Sequence, residues 1–141
     1  MDDRYDLERF VGAQRPVIDA VRGELAAGRK RTHWMWFVFP QVEGLGSSAM
    51  AQRYAIGSLD EAKAYLAHPV LGPRLRECAS LVLGVQGGAV HGIFGSPDDF
   101  KFHSSMTLFD RASPGEVFGE CLRKFFGGRP DGATLQRLHA P

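Results

Sequence analysis

The chain has 141 residues, of which 44% are hydrophobic and 23% are charged, a balance typical of a globular protein with one hydrophobic core. Seventeen basic and sixteen acidic residues leave a net charge of +1, which is too small to attract nucleic acid or an anionic membrane through a protein-wide field. We therefore predict a single domain over residues 1–141 and no general nucleic-acid binding.

The first ten residues, MDDRYDLERF, are acidic and lack the basic and apolar regions of a secretory signal. No later apolar run approaches the roughly 18 residues that a membrane span needs. Cys78 and Cys121 stand far apart and outside any zinc-ligand spacing, so we predict two reduced, buried thiols. These features predict a cytoplasmic protein with no membrane contact, no metal site and no cofactor.

Helical spacing begins near the start of the chain. Leu7, Phe10 and Val11 are separated by three and four residues, which predicts an apolar stripe on a first helix. Pro16 suits the first turn of a second helix, and Gly28 predicts its end. The predicted buried face of this second helix contains Val17, Ile18, Val21 and Leu25.

The segment WMWFVF, residues 34–39, contains six apolar residues in a row and ends at Pro40. Periodicity alone fits a buried strand and a buried helix equally well. The β-propensity of Trp, Phe and Val favours a strand, but a lone strand has nothing with which to pair. We therefore predict a central helix for this segment.

Helix-start signals recur along the chain after residue 57. Ser58 with Glu61 three residues later forms a capping-box pattern, and Pro69 predicts the end of that helix. Ser96 and Ser113 each precede a proline and an acidic residue, which predicts two further helices capped by these serines.

Two more helices complete the predicted fold. The first has an apolar stripe and ends at Gly84, and the second opens at Pro130 and Asp131. The stripe of the first consists of Leu71, Leu75, Cys78, Ala79 and Val82, and the second carries Leu135 and Leu138. Hairpin dipeptides are nearly absent. We predict an all-α fold, a compact single-domain bundle of about six to eight short helices.

The segment GLGSS, residues 44–48, precedes a predicted helix at residues 49–55. Glycines let backbone N–H groups turn inward, and a helix N-terminus adds partial positive charge, so this combination can bind phosphate. The segment lacks the P-loop lysine and the full GxGxxG spacing, and a turn followed by a serine cap is the alternative.

The segment PDDFKFHSSMTLF, residues 97–109, places Asp98, Lys101 and Ser105 on one helical face and apolar residues on another. The apolar face contains Phe102, Met106 and Phe109. A lysine and hydroxyls beside a carboxylate can hold an anionic or sugar-bearing ligand or orient a water. An exposed ion pair at a helix start is the alternative.

Basic residues and a histidine lie just before the aromatic segment at residues 34–39. His33 beside Trp34 suggests a base next to a stacking platform, and a hydrogen-bonded core histidine is the alternative. Trp34 and Trp36 are two residues apart and point in different directions on a helix, so at most one faces a ligand. The basic run at residues 29–31 is explained by a helix end and solvent.

Three segments together, HWMWFVFPQ, YAIGSLDEAKAYLAHPVLGPRL and DDFKFHSSMTLF, resemble DUF1810, a bacterial family of proteins of unknown function. The resemblance implies a compact, mainly helical domain, and by analogy it favours the helix at residues 34–39. It implies no established reaction. The matching positions are His33, Trp34, Trp36, Phe39, Pro40, Gln41, Tyr54, Lys101, Ser104, Met106, Thr107 and Phe109. The resemblance also implies that position 105 is often cysteine.

A more distant similarity concerns the order of three segments, EAKAYLAHPVLGPRL, then DDFKF with SMTLF, then LRKFFGG. This layout is similar to that of helical proteins that act on ADP-ribose and related N-glycosides. A likeness of layout does not by itself transfer chemistry.

The best prediction is a small-molecule-binding protein or N-glycoside-processing enzyme, whose anionic, nucleotide-like or ADP-ribose-like ligand lies between the Trp34/Trp36 segment and the Lys101 helix. Trp34 stacks the base, Lys101 holds a phosphate or ribose oxygen, and Asp98 or Asp99 orients a water. The predicted catalytic residues are Asp98, Asp99, Lys101 and Ser104. The predicted ligand-binding residues are His33, Trp34, Trp36, Gln41, Gly44, Gly46, Ser47, Tyr54 and Ser105. The alternative is a non-catalytic helical scaffold or protein-interaction module.

Overall fold

Ten helices and no β-strand occur in residues 3–139, which are the residues that the computed structural model of the protein describes. The all-α prediction is confirmed. Three of the helices are only four or five residues long, which is why their number exceeds the predicted six to eight. In chain order they are α1 (Glu8–Gln14), α2 (Ile18–Ala26), α3 (Met35–Val38), α4 (Ala49–Arg53), α5 (Leu59–Ala67), α6 (Leu71–Leu83), α7 (Val90–Phe94), α8 (Asp98–Ala112), α9 (Val117–Phe126) and α10 (Gly132–His139).

Helix α8 is the centre of the fold, because α5, α7, α9 and α10 all pack against it. Its Phe102 is fully buried and contacts Phe39 edge-to-face, with ring centroids 5.1 Å apart, and Phe94 in a stacked arrangement at 4.8 Å. One turn from the other end of α8, Phe109 contacts Tyr65 of α5 and Phe118 of α9. One buried aromatic cluster therefore joins both halves of the chain. Within residues 3–139, no helix has both the length and the apolar character that crossing a bilayer requires.

The apolar stripe predicted for α6 is confirmed, since all five of its residues are buried. Cys78 and Cys121 are free, buried thiols, as predicted. Burial raises the pKa of each thiol to about 12, because the low-dielectric interior disfavours the thiolate. Both cysteines are therefore packing residues and poor nucleophiles at neutral pH.

Two helices, α4 and α5, have the serine cap that the sequence predicts. The Ser58 hydroxyl accepts a hydrogen bond from the Glu61 N–H at 3.1 Å, and the Glu61 carboxylate accepts one from the Gly57 N–H at 3.0 Å. This arrangement is a capping box whose return contact is shifted by one residue. The Ser48 hydroxyl likewise accepts from the Ala51 N–H at 3.1 Å, which confirms the turn and serine cap after the glycine-rich segment.

The caps predicted at Ser96 and Ser113 are wrong. Helix α8 begins at Asp98 with Pro97 in the capping position, and α9 begins at Val117 with Glu116 in that position. Neither helix start has a side-chain cap, because a capping hydroxyl must lie directly before the first helical residue and both serines lie further upstream. The Ser113 hydroxyl instead donates to the Glu116 carboxylate at 2.5 Å.

The central segment is helical, as predicted, but only over the four residues of α3. The chain then turns at Phe39 and runs beside residues 54–57, where an isolated parallel bridge links Val42 to Ile56. The Ile56 N–H donates to the Gln41 carbonyl at 2.9 Å, and the Glu43 N–H donates to the Ile56 carbonyl at 2.8 Å. This bridge joins the residues just before the glycine-rich segment to the residues just after α4.

Ser105 on α8 allows the energetic cost of a buried, unpaired hydroxyl to be measured. Its side chain is fully buried, and its Oγ has no hydrogen-bond partner in the described part of the chain. A buried, unpaired polar group costs about 1–3 kcal/mol, so Ser105→Ala is expected to raise the free energy of unfolding by about 1 kcal/mol. Urea denaturation followed by circular dichroism measures this change.

Ser104 is the matched control for this substitution. Its hydroxyl donates to the Phe100 carbonyl and to the Asp131 carboxylate, both at 3.1 Å, so Ser104→Ala is expected to lower stability by about 1 kcal/mol. A loss of stability in both variants contradicts the assignment of Ser105 as an unpaired group.

Candidate functional site

Trp34 is a structural residue. Its side chain is 0% exposed, its Nε1–H donates to the Glu24 carboxylate at 3.0 Å, and the Lys30 ammonium lies 5.1 Å from its ring centroid. A ring in this position offers no face to a ligand, which corrects the predicted stacking role of Trp34. Of the two tryptophans, the one that does not face a ligand is therefore Trp34.

Trp36 and Lys101 are the aromatic residue and the cation that the fold brings together. Trp36 is only partly buried, and the Lys101 ammonium lies 5.6 Å from its ring centroid, within the range of a cation–π contact. Both side chains line a small cavity together with Gln41 and Tyr54. Gly44 and Gly46 line it too, so six of the predicted site residues meet at one place, formed by α3, the segment after it, the end of α4 and α8.

This inner cavity has a volume of about 10 Å³, which is room for about one water molecule. It adjoins an open groove of about 560 Å³. The two spaces are neighbours, because both are lined by Val42, Gly44, Gly46 and Ala55. The predicted site consists of this groove and the water-sized recess behind it.

Both glycines are required by the local geometry. Gly44 has a φ of +96°, and a Cβ at this position would overlap the guanidinium of Arg137. A Cβ at Gly46 would overlap the side chain of Ala51 in α4. The backbone of this segment therefore packs closely against α4 on one side and α10 on the other.

The predicted carboxylates are held by neighbouring cations. Asp98 lies 2.9 Å from the Lys30 ammonium and 3.6 Å from the Lys101 ammonium, and it does not line the cavity. Asp99 contacts the His91 ring at 3.2 Å and accepts a hydrogen bond from the Phe100 N–H at 2.9 Å. Neither carboxylate is placed to activate a water in the recess or in the groove.

The interpretation of the basic run at residues 29–31 as a solvated surface is wrong for Lys30. Its side chain is only 8% exposed, because it is enclosed between Trp34 and Asp98. Arg29 and Arg31 on either side are exposed, as the sequence interpretation expects. The partly buried Lys30–Asp98 ion pair joins the segment before α3 to the first turn of α8.

The remaining predicted residues lie away from the recess. His33 and Ser47 are exposed and line neither space, so the alternative of a core histidine is also wrong. Ser104 joins α8 to the cap of α10 through Asp131, and Ser105 is sealed in the core. A catalytic role for Ser104 and a ligand contact for Ser105 have no support in this geometry.

Three polar residues outside the predicted set also line the site. Glu43, Gln52 and Arg137 line the open groove. Arg137 belongs to α10 and approaches Gly44 across the fold, a contact that no local pattern predicts. No cluster of three or more His, Cys, Asp or Glu side chains suited to a metal ion occurs in residues 3–139.

Comparison with known proteins places the chain among proteins without an assigned activity. It is 56% identical to the conserved hypothetical protein Rv1873 from Mycobacterium tuberculosis, whose crystal structure superimposes with a TM-score of 0.96. The alignment covers 99% of this chain and 100% of that one. A search of curated proteins gives no match. The family described as protein of unknown function (DUF1810) matches residues 4–138, so the chain belongs to the DUF1810 family.

Proposed function

We propose that the protein binds a small anionic, nucleotide-like molecule in the groove beside the glycine-rich segment. The supporting observation is that the Lys101 ammonium lies over the face of Trp36 at the wall of a recess that adjoins this groove. A cation beside a partly exposed aromatic ring suits a ligand with both an anionic group and a planar ring.

The size of the two spaces supports this ligand class. Ligand sites commonly have volumes of about 300–1,000 Å³, and the groove has about 560 Å³. The recess of about 10 Å³ accepts no more than one ligand oxygen in place of a water. The body of the ligand therefore occupies the groove, and one oxygen reaches inward towards Lys101.

The positive charge of Lys101 is only weakly compensated by a carboxylate, so it is available to an anionic ligand. Its nearest carboxylate, Asp98, is 3.6 Å away and already has a shorter contact of 2.9 Å with Lys30. Lys101 is therefore the more weakly paired of the two lysines, and an incoming anion competes only with a long ion pair. We further propose a cytoplasmic location, because nucleotides are abundant there and two separate buried thiols suit a reducing compartment.

Binding has more support than N-glycoside hydrolysis, because hydrolysis requires a base or carboxylate that orients a water near the ligand. Asp98 is held by lysines and Asp99 by His91, and neither lines the recess or the groove. Glu43 is the carboxylate that lines the groove, and it is the residue to test if turnover of an N-glycoside is found.

A non-catalytic scaffold is the second candidate. It is favoured by the small recess and by the internal use of Asp98 and Ser104, whose side chains join separate parts of the fold. In that case Lys101 is a packing residue on Trp36, and its removal is expected to cost stability without affecting any binding.

Lys101→Met tests the proposed function. This variant keeps the aliphatic contact with Trp36 and removes the charge, so affinity for AMP, ADP and ADP-ribose is expected to fall at least tenfold. Isothermal titration calorimetry measures the affinities, and thermal melting measures stability. The melting temperature is expected to change by less than about 2 °C, because Asp98 keeps its contact with Lys30.

Lys63→Met is the matched control, since Lys63 is an exposed lysine of α5 that does not line the recess or the groove. Its affinities are expected to equal those of the wild type. Wild-type protein that binds none of the three nucleotides at millimolar concentration contradicts the proposal. A large loss of stability in Lys101→Met together with no detectable ligand supports the scaffold.

A further inference from the structure

Arg137 is held at the groove by a polar anchor at the start of α10. The Asp131 carboxylate accepts hydrogen bonds from the Thr134 N–H at 3.1 Å, from the Thr134 hydroxyl at 2.6 Å and from the Ser104 hydroxyl at 3.1 Å. The Asp131 N–H donates to the Thr107 hydroxyl of α8 at 2.8 Å. Helix α10 is thus fixed to the central helix, and its position relative to the groove is defined.

The guanidinium of Arg137 lies directly against the backbone of Gly44. A Cβ at residue 44 would overlap three of its atoms, Nη2, Cζ and Nε. The absence of a side chain at Gly44 therefore makes room for this contact. Arg137 and Gly44 both line the groove, and Gly44 also lines the recess of Lys101.

The positive charge of Arg137 is also available to an anionic ligand. No ion pair between its guanidinium and a carboxylate forms within the described residues. Its side chain is exposed, so its charge is solvated rather than compensated. A guanidinium presents donors in a planar fork that fits two oxygens of one phosphate group, whereas a lysine acts as a point charge.

We propose that Arg137 binds a second anionic group of the same ligand, so that the ligand is a nucleoside diphosphate or a similar molecule with two anionic groups. This inference rests on the proposed function. One ligand oxygen reaches the recess at Lys101, and the second anionic group lies in the groove against the Arg137 fork. Lys101 lines the recess, Arg137 lines the groove, and Gly44 and Gly46 line both spaces. A monophosphate satisfies one of these cations, and a diphosphate satisfies both.

The test compares ADP with AMP by isothermal titration calorimetry for the wild type, Arg137→Gln and Arg137→Lys. Wild-type protein is expected to bind ADP at least tenfold more tightly than AMP. Arg137→Gln is expected to lose this preference while its AMP affinity changes less than threefold. Arg137→Lys restores the charge without the planar fork and is expected to recover part of the preference.

Two further variants separate this inference from the proposed function. Lys101→Met is expected to weaken both nucleotides, because Lys101 contacts the group that they share. Arg111→Gln removes an exposed arginine near the far end of α8 and is expected to leave both affinities unchanged.

Equal affinity of the wild type for ADP and AMP overturns the inference, and so does an ADP preference that survives in Arg137→Gln. Either result leaves the proposed function standing if Lys101→Met still weakens binding. Wild-type protein that binds neither nucleotide overturns the proposed function, and the inference fails with it.

Discussion

Replacing Arg9 by methionine is expected to lower the free energy of unfolding by about 3 kcal/mol, because it removes one partner of a largely buried ion pair. The Arg9 guanidinium lies 3.1 Å from the Glu61 carboxylate, and the two side chains are only 15% and 10% exposed. Without Arg9, the Glu61 carboxylate keeps only its bond from the Gly57 N–H and is left as a poorly compensated charge.

The same guanidinium also satisfies four backbone carbonyls. It donates to Tyr5 at 2.6 Å, Asp6 at 2.8 Å, Arg53 at 2.9 Å and Ala55 at 2.9 Å. Two of these carbonyls precede α1, one belongs to the last residue of α4 and one lies between α4 and α5. The bonds to Tyr5 and Ala55 are partly buried, so leaving these two carbonyls unpaired adds a desolvation cost. The loss of Arg9 therefore also weakens the contact between the segment before α1 and the segment after α4.

Chemical denaturation of Arg9→Met beside Arg15→Met measures this effect against a matched control. Arg15 on the same helix pairs with Glu8 at 3.7 Å, and both side chains are more than 60% exposed, so the control is expected to change stability by less than about 0.5 kcal/mol. The double variant Arg9→Met/Glu61→Gln is expected to be less destabilised than the sum of the single variants. A loss below about 1 kcal/mol in Arg9→Met contradicts the assignment.

The elements of the fold that sequence reasoning predicts are those with a local physical cause. The Ser58 cap and the apolar stripe of α6 depend on residues within one or a few helical turns of each other, so their spacing is visible in the sequence. The wrongly assigned caps at Ser96 and Ser113 show the limit of such signals. Each serine is followed by a proline and an acidic residue, as at a typical helix start, but the helices begin two and four residues after the serines.

The candidate site is only partly predictable because its contacts join distant parts of the chain. Helical geometry separates Trp34 from Trp36 but cannot say which of them faces inward, and that choice depends on the hydrogen bond to Glu24 in another helix. Arg137 lies in an ordinary amphipathic helix and gains its position through contact with Gly44. Lys101 could be predicted as a site residue from the local pattern of α8, because it lies with polar residues on one face of a helix whose other face is apolar.

Glu24→Gln is expected to destabilise the protein by about 2 kcal/mol at pH 7, with the effect disappearing in acid. Partial burial alone would raise the pKa of Glu24, but four hydrogen bonds to the ionised carboxylate outweigh it and lower the pKa from 4.5 to about 2. The donors are the Thr32 hydroxyl at 2.6 Å, the Arg31 N–H at 2.6 Å, the Thr32 N–H at 2.9 Å and Trp34 Nε1–H at 3.0 Å.

The direction of the pH dependence follows from this lowered pKa. In the unfolded chain Glu24 binds its proton near pH 4.5, whereas in the folded protein it does so near pH 2. Its contribution to stability is therefore complete above about pH 4.5 and is lost as the pH falls through about 2. A neutral glutamine cannot supply the charge, so the stability gap between the wild type and Glu24→Gln is expected to narrow over this interval.

Urea denaturation at several pH values between 7 and 2 measures this gap, with Glu120→Gln as a control for the loss of one exposed negative charge on α9. The indole N–H resonance of Trp34 provides a second measurement in the folded state, because its hydrogen bond ends on the Glu24 carboxylate. We expect this resonance to shift in Glu24→Gln and to remain in place in Glu120→Gln. A stability gap that stays constant down to pH 2 contradicts the role of Glu24, because the carboxylate that anchors Trp34 must then be uncharged or absent from the folded network.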